Sequence, residues 1–474
     1  MTDLSQKLGR QANLDDVPDE ELDQWKSAGF DWIWLLSVWN TGAAAQKVSR
    51  THLQWLKEFN ETLPDLKDED IGGSGFAITG YQVHPALGGD EALVRLRQRM
   101  KDRGMKLMLD FVPNHMGLGH PWMTEHPDYF IQGNENDAVQ FPENYFRSGP
   151  ESKGKIFAHG RDPYFPGWPD TIQLNYGNPD LLAAMIDELI KISGQCDGVR
   201  CDMAMLVLPD IFERTWGIRM TPLWPEVTKR LKRKHPAFTF MAEVYWDLEW
   251  NLQQQGFDYT YDKRLYDRLR EGKATPVREH FMAGLDFQNK LVRFLENHDE
   301  PRTSATFELL PLKAAAVITF LSPGLRFFHL GQLEGRKKRI SPHIVRAPEE
   351  HVDAYIHHFY EHLLGFLHRD AFRLGSWQLL NCLPAWEGNA SNENYIAFYW
   401  SYGSERYIVA VNYSEHHSQC YIRLPLEDLS NHMFRLEDQF GQANLDRDGN
   451  DLSREGLYLD EPAWKYYVFS VIRQ

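Results

Sequence analysis

"NPDLLAAMIDELIKISGQCDGVRCD" (residues 178–202) decides how the chain is organised. Asn178 is placed to cap a helix that starts at Pro179, a residue that suits the first turn because that turn's N–H groups lack helical partners. The helical pattern then gives way to a short buried-strand pattern ending in "GVRCD" (198–202). Residues i and i+2 share one face of a strand, so Arg200 and Asp202 can meet. Charges are disfavoured inside a sheet unless paired, and the arginine would favour the ionised carboxylate. An inert ion pair and an activated carboxylate both satisfy that condition.

The same helix-then-strand unit recurs. "WIWLL" (32–36) follows "DDVPDEELDQWKSAG" (15–29), a helix ended by Gly29. "MKLMLDF" (105–111) follows "DEALVRLRQRMKDRG" (90–104), again closed by a glycine. "FTFMAEV" (238–244) follows "PEVTKRLKRKHP" (225–236), and "FDYTYD" (257–262), "LVRFLEN" (291–297) and "LRFFHL" (325–330) each follow another helical candidate. Seven such strands imply a parallel sheet and an α/β fold, and they fit a (β/α)8 TIM barrel better than an open sheet.

Two segments break the rhythm. Residues 116–177 are rich in Gly, Pro, Asn and aromatics and read as an inserted subdomain. From Gly375 onward "ENYIAFYWS", "RYIVAVNYS", "SQCYIRLPL" and "KYYVFSVI" are short strands spaced by turns, which suggests a C-terminal antiparallel β-sandwich. The expected division is a barrel over 1–115 and 178–374, the insertion over 116–177 and the sandwich over 375–474.

Composition narrows the function classes. The chain has 474 residues, a net charge of −16 and 13% aromatics, including 15 Trp. The acidic balance argues against nucleic acid or anionic membranes as partners and suits a neutral substrate, and rings that stack on flat apolar faces suit a sugar. The four cysteines show no C-x-x-C pair, so reduced thiols are expected. "MTDLSQKLGR" lacks the apolar stretch of a signal peptide, and "LKAAAVITFL" is too short to span a bilayer; a cytoplasmic protein is the expectation.

Chemistry in such barrels sits at the C-terminal ends of the strands, and four of these strands end in polar clusters. "LMLDFVPNH" supplies Asp110, Asn114 and His115; "GVRCD" supplies Arg200 and Asp202; "FMAEVYW" supplies Glu243; "FLENHDEPR" supplies Asn297, His298, Asp299 and Arg302. Retaining glycoside hydrolysis needs an ionised nucleophile and a protonated acid about 5–5.5 Å apart. Asp202, Glu243 and Asp299 supply the carboxylates, and the histidines can bind sugar hydroxyls while neutral.

These four stretches resemble the four short motifs of the α-amylase family, glycoside hydrolase family 13. That family carries them in this order on a (β/α)8 barrel, with an insertion after the third strand and a C-terminal β-sandwich. The resemblance implies Asp202 as nucleophile, Glu243 as general acid and base, and Asp299 as transition-state stabiliser. It further implies that Arg200 orients Asp202, that His115 and His298 grip the sugar before the cleaved bond, and that Asp110 organises the same pocket. Asn114 is either a loop-holding amide or a ligand of a structural calcium; the chemistry itself requires no cofactor. The implied partner is an α-1,4-linked glucan or maltooligosaccharide, with hydrolysis as the first reading. Transglycosylation or phosphorolysis is the second, and an inactive binding protein the third.

The chain also departs from the family. The family's first strand precedes its first helix, whereas that helix begins here near Asp15 after a short polar segment, so the first strand is expected to be short or missing. Phe76 stands where the family has a sugar-stacking tyrosine, Met205 and Leu206 replace a lysine–histidine pair, and Gln332 replaces an acid.

Overall fold

The structure, a computed structural model, describes residues 1–426 and 429–474. It divides into two compact units, Met1–Tyr261 with Arg339–Glu349, and Asp262–Lys338 with Glu350–Gln474.

In the first unit five parallel strands pair in chain order: β1 (Trp32–Trp34), β2 (Lys106–Phe111), β3 (Gly198–Cys201), β4 (Thr239–Ala242) and β5 (Tyr259–Tyr261). Helices Asp19–Ser27, Gly89–Asp102, Pro179–Gln195 and Trp224–Lys234 precede β1 to β4. The expected punctuation is present. Asn178 accepts the Asp180 N–H at 2.9 Å, and Gly29 (φ 93°) and Gly104 (φ 68°) adopt left-handed conformations just past their helices. β3 is buried along its whole length, as a parallel strand covered on both faces should be. The register sets Arg200 beside Asp110 of β2 on one side and Met241 of β4 on the other.

No strand precedes β1 among the described residues. Thr2–Leu8 is a helix instead, anchored where the Ala347 N–H donates to the Thr2 carbonyl (3.2 Å) and the Ala12 N–H to Ser5 Oγ (2.9 Å). Residues 116–177 hold only short elements, among them the antiparallel pairs His115–Gly117 with Thr171–Gln173 and Tyr145–Arg147 with Ile156–Ala158. Gly117 is required there, because a Cβ would lie 2.1 Å from the Ala77 carbonyl oxygen.

In the second unit β6 (Leu291–Arg293) pairs in parallel with β7 (Leu325–Arg326). The apolar run "LKAAAVITFL" lies in the buried helix Leu309–Phe320, and among the described residues no helix is long and apolar enough to cross a membrane. The C-terminal part forms a six-stranded and a three-stranded antiparallel sheet. Strand alternation divides the buried side chains of Tyr395–Tyr402 and Glu405–Asn412 between two cores. Ile396, Phe398 and Val409 pack with the helical residues Leu363 and Phe372; Ala397, Ile408 and Ala410 pack with Cys420, Ile422 and Leu459 of the smaller sheet.

Candidate active site

The Arg200–Asp202 pair quoted at the outset is one edge of a larger cluster. Arg200 is fully buried, and its Nη1 donates to Asp202 Oδ1 (2.7 Å) and Asp110 Oδ1 (3.1 Å) while Nη2 donates to Glu243 Oε2 (2.7 Å). One guanidinium thus bridges carboxylates from the ends of β2, β3 and β4. Its charge also faces rings, with Trp34 and Phe76 at 5.2 Å and Tyr261 at 5.9 Å.

Each carboxylate has further donors. Asp110 Oδ2 accepts from the Ser37 N–H (2.6 Å) and Trp34 Nε1 (3.1 Å). Glu243 Oε2 accepts from the Met203 N–H (2.7 Å), and Oε1 from the Tyr245 hydroxyl (2.8 Å). The Met203 contact depends on backbone strain: Met203 follows Asp202 in a left-handed conformation, φ 41° and ψ 46°, that turns its N–H toward Glu243. Burial pushes the Asp202 carboxyl well above its usual range, with Arg200 opposing and the charges of Glu243 and Asp110 adding to the rise. Burial raises Asp110 as well, against the pull of Arg200. In this buried cluster Asp202 and Asp110 are therefore both disposed to hold a proton.

His115 follows β2 and is buried; its ring hydrogen-bonds the Phe76 backbone, and burial holds it neutral with its pKa pushed down to about 4. It stands 5.2 Å from the Trp168 ring. Asn114 holds the loop. Its Oδ1 accepts from Gln173 Nε2 (3.1 Å), which also donates to the Asn114 and Leu174 carbonyls at 2.8 and 3.1 Å. Among the described residues no three His, Cys, Asp or Glu side chains group as metal ligands.

His298 and Asp299 lie in the second unit, where His298 Nε2 stands 3.2 Å from Asp299 Oδ2. Asn297 Oδ1 accepts the N–H groups of Asp299 (2.9 Å) and Glu300 (2.8 Å), fixing the turn. The turn is clamped by Glu296, whose Oε1 accepts from Arg302 Nη1 (2.6 Å) and whose Oε2 accepts the Thr303 N–H (2.7 Å), both side chains being buried. Arg302 is an ion-pair partner here.

Asp110, Arg200, Asp202, Glu243, Phe76 and His115 thus gather in the first unit, and His298 with Asp299 in the second. Sequence reasoning overlooked Trp34, Ser37, Tyr245 and Tyr261. Tyr245 carried a readable signal, standing two residues after Glu243 in "AEVYW".

A family model for the alpha amylase catalytic domain matches residues 19–378. The chain belongs to the alpha-amylase family. Alpha-amylase 3 of Dictyoglomus thermophilum is 24% identical over 306 residues, which are 59% of this chain and 57% of that protein. The trehalose synthase/amylase TreS of Mycobacterium tuberculosis is 31% identical over 196 residues, 38% of this chain and 31% of that protein. The chain therefore spans about half or less of these curated relatives. The fold is shared more widely: a crystal structure of a noncanonic maltogenic alpha-amylase AmyB from Thermotoga neapolitana matches with a TM-score of 0.67 at 18% identity, covering 95% of this chain and 93% of that one. This alpha-amylase family member is accordingly an α/β protein of the (β/α)8-barrel class with a C-terminal antiparallel β-sandwich, and its family is one of glycoside hydrolases.

Proposed function

We propose that this chain is a retaining α-glycoside hydrolase acting on α-1,4-linked glucan or maltooligosaccharide, with Asp202 as nucleophile, Glu243 as general acid then base, and Asp299 as the carboxylate that binds ring hydroxyls and stabilises the transition state. The bridging of Asp202 and Glu243 by Arg200 carries the reading. It keeps two carboxyls from neighbouring strands at one centre, with Asp202 oriented for attack.

The donors around Glu243 also support a place for the proton. Glu243 Oε2 faces two N–H groups, which cannot accept, whereas Oε1 faces the Tyr245 hydroxyl, which can reverse its role. Oε1 is then the atom that carries the proton to the glycosidic oxygen. As that bond breaks, an Asp202 oxygen bonds the anomeric carbon and the shortened glucan leaves with the proton. A water then gives its proton to Glu243 and attacks the same carbon, releasing Asp202. Neutral His115, with Asp110, Phe76 and His298, binds the sugar before the cleaved bond. A cytoplasmic setting agrees with the four thiols, all of them free.

Two inversions leave the configuration unchanged, so proton NMR in the first minutes of digestion should show the α-anomer. An initial β-anomer would overturn these roles. Asp202→Asn and Glu243→Gln should each abolish turnover in folded protein. Glycosyl transfer is the second reading, favoured by the relative named trehalose synthase/amylase, and products longer than the supplied maltooligosaccharide would establish it.

A further inference from the structure

Two of the free thiols lie on adjacent strands of the smaller C-terminal sheet. Cys382–Leu383 pairs antiparallel with Ser418–Ile422, and Cys382 stands opposite Ile422. Directly opposed residues share a face of a sheet, and so do residues two apart on one strand, so Cys382 and Cys420 point the same way. That face is the inner one. Cys420 is buried in the core with Ile422 and Leu459, and Cys382 packs against the margin of that core. The two side chains are in hydrogen-bonding contact.

Their settings separate two roles. Cys382 is only partly covered, whereas Cys420 is fully buried. The Cys382 sulfur, and then burial, hold the Cys420 thiol well above its usual range, so Cys420 keeps its proton. Cys382 sits on a two-residue strand at the edge of the three-stranded sheet. That strand is tied by the Arg423 N–H to the Asn381 carbonyl (3.0 Å) and by Asn392 Nδ2 to the Cys382 carbonyl (2.9 Å). A short edge strand has one neighbour and can adjust to the geometry that a disulfide demands. The remaining thiols, Cys196 and Cys201, are both buried in the first unit.

We propose that Cys382 and Cys420 are an oxidation site, converted by hydrogen peroxide to a disulfide that staples the edge strand to its neighbour. The reachable Cys382 sulfur attacks the peroxide. Its S–O bond forms as the O–O bond breaks, giving a sulfenic acid and one water. The Cys420 sulfur then bonds the Cys382 sulfur, the S–O bond breaks, and the Cys420 proton leaves with the hydroxyl as a second water. Two thiols lose two electrons and two protons, and one hydrogen peroxide becomes two waters. The bond closes a loop between positions 38 apart in sequence, which restricts the unfolded chain.

Peptide mapping tests this. Protein treated with hydrogen peroxide, alkylated in denaturant and digested without reductant should yield the Cys382 and Cys420 peptides joined and lighter than their sum by two hydrogens. Dithiothreitol should separate them. Cys420→Ser should leave Cys382 as a sulfenic acid that dimedone traps, and Cys382→Ser should leave Cys420 a free thiol. The oxidised wild type should melt about 4 °C above the reduced protein, a shift absent in Cys382→Ser. Wild-type Cys382 carried to sulfinic acid with Cys420 still alkylated would overturn the proposal. So would two unmodified thiols at a peroxide dose that fully oxidises glutathione, or a joined pair that melts no higher than the reduced protein.

Discussion

Arg200 donates to Glu243 Oε2 at 2.7 Å, as close as it approaches Asp202. The arginine that orients the proposed nucleophile therefore also orients the proposed acid, and the two carboxyls cannot move independently of it.

Arg200→Lys should fold but lose at least about a hundredfold in kcat, because a point-charge ammonium cannot span both carboxylates as the planar fork does. Arg200→Met would leave buried carboxylates without their cation and should cost roughly 3–5 kcal/mol of stability, measured by denaturant unfolding.

Tyr245→Phe removes the hydroxyl that donates to Glu243 Oε1, a group that can reverse its role. The expected result is a fall in kcat of about tenfold to a hundredfold with KM little changed, since the phenol is placed to move a proton rather than to bind sugar. Steady-state kinetics on maltooligosaccharide reads the split.

Asp170 gives a pH test of stability. It is buried, its Oδ2 has no hydrogen-bond partner among the described residues, and burial raises its pKa from 3.8 to about 7. A folded-state pKa above the unfolded one contributes stability that is full below pH ~4 and lost as pH rises through ~7. Asp170→Asn escapes that loss. Its melting temperature relative to wild type should therefore climb between pH 4 and 7 and level off above, the underlying energy being of order 1.4 kcal/mol per pKa unit.

Glu296→Gln should loosen the turn that carries Asp299. Arg302 would keep its carbonyl contacts but lose a buried carboxylate partner, a cost of about 3 kcal/mol visible in the unfolding midpoint. Turnover should fall further than that of a surface variant such as Glu125→Gln, which should match wild type in both readouts.

All seven β/α strands were legible because their signals are local: a cap at Asn178, glycine ends at 29 and 104, and short apolar runs after each helix. Among the described residues no strand precedes Trp32, where the opening segment is polar. It forms the helix Thr2–Leu8 instead. The Arg200–Asp202 contact follows from the i, i+2 rule alone. The contact between Asn114 and Gln173, 59 residues away in sequence, was not legible.

The sequence by itself determined the order of the elements, the polar strand ends and the family to which they belong, because helix caps, strand alternation and motif spacing depend on near neighbours. The tertiary structure decided which partners those residues meet. It brought Glu243 onto the same guanidinium as Asp202, set Tyr245 on Glu243 and Trp34 on Asp110, and joined Tyr164 to Trp246 across 82 positions. These pairings come from register between parallel strands and from long loops returning to a common rim, and neither is encoded in any single stretch of chain.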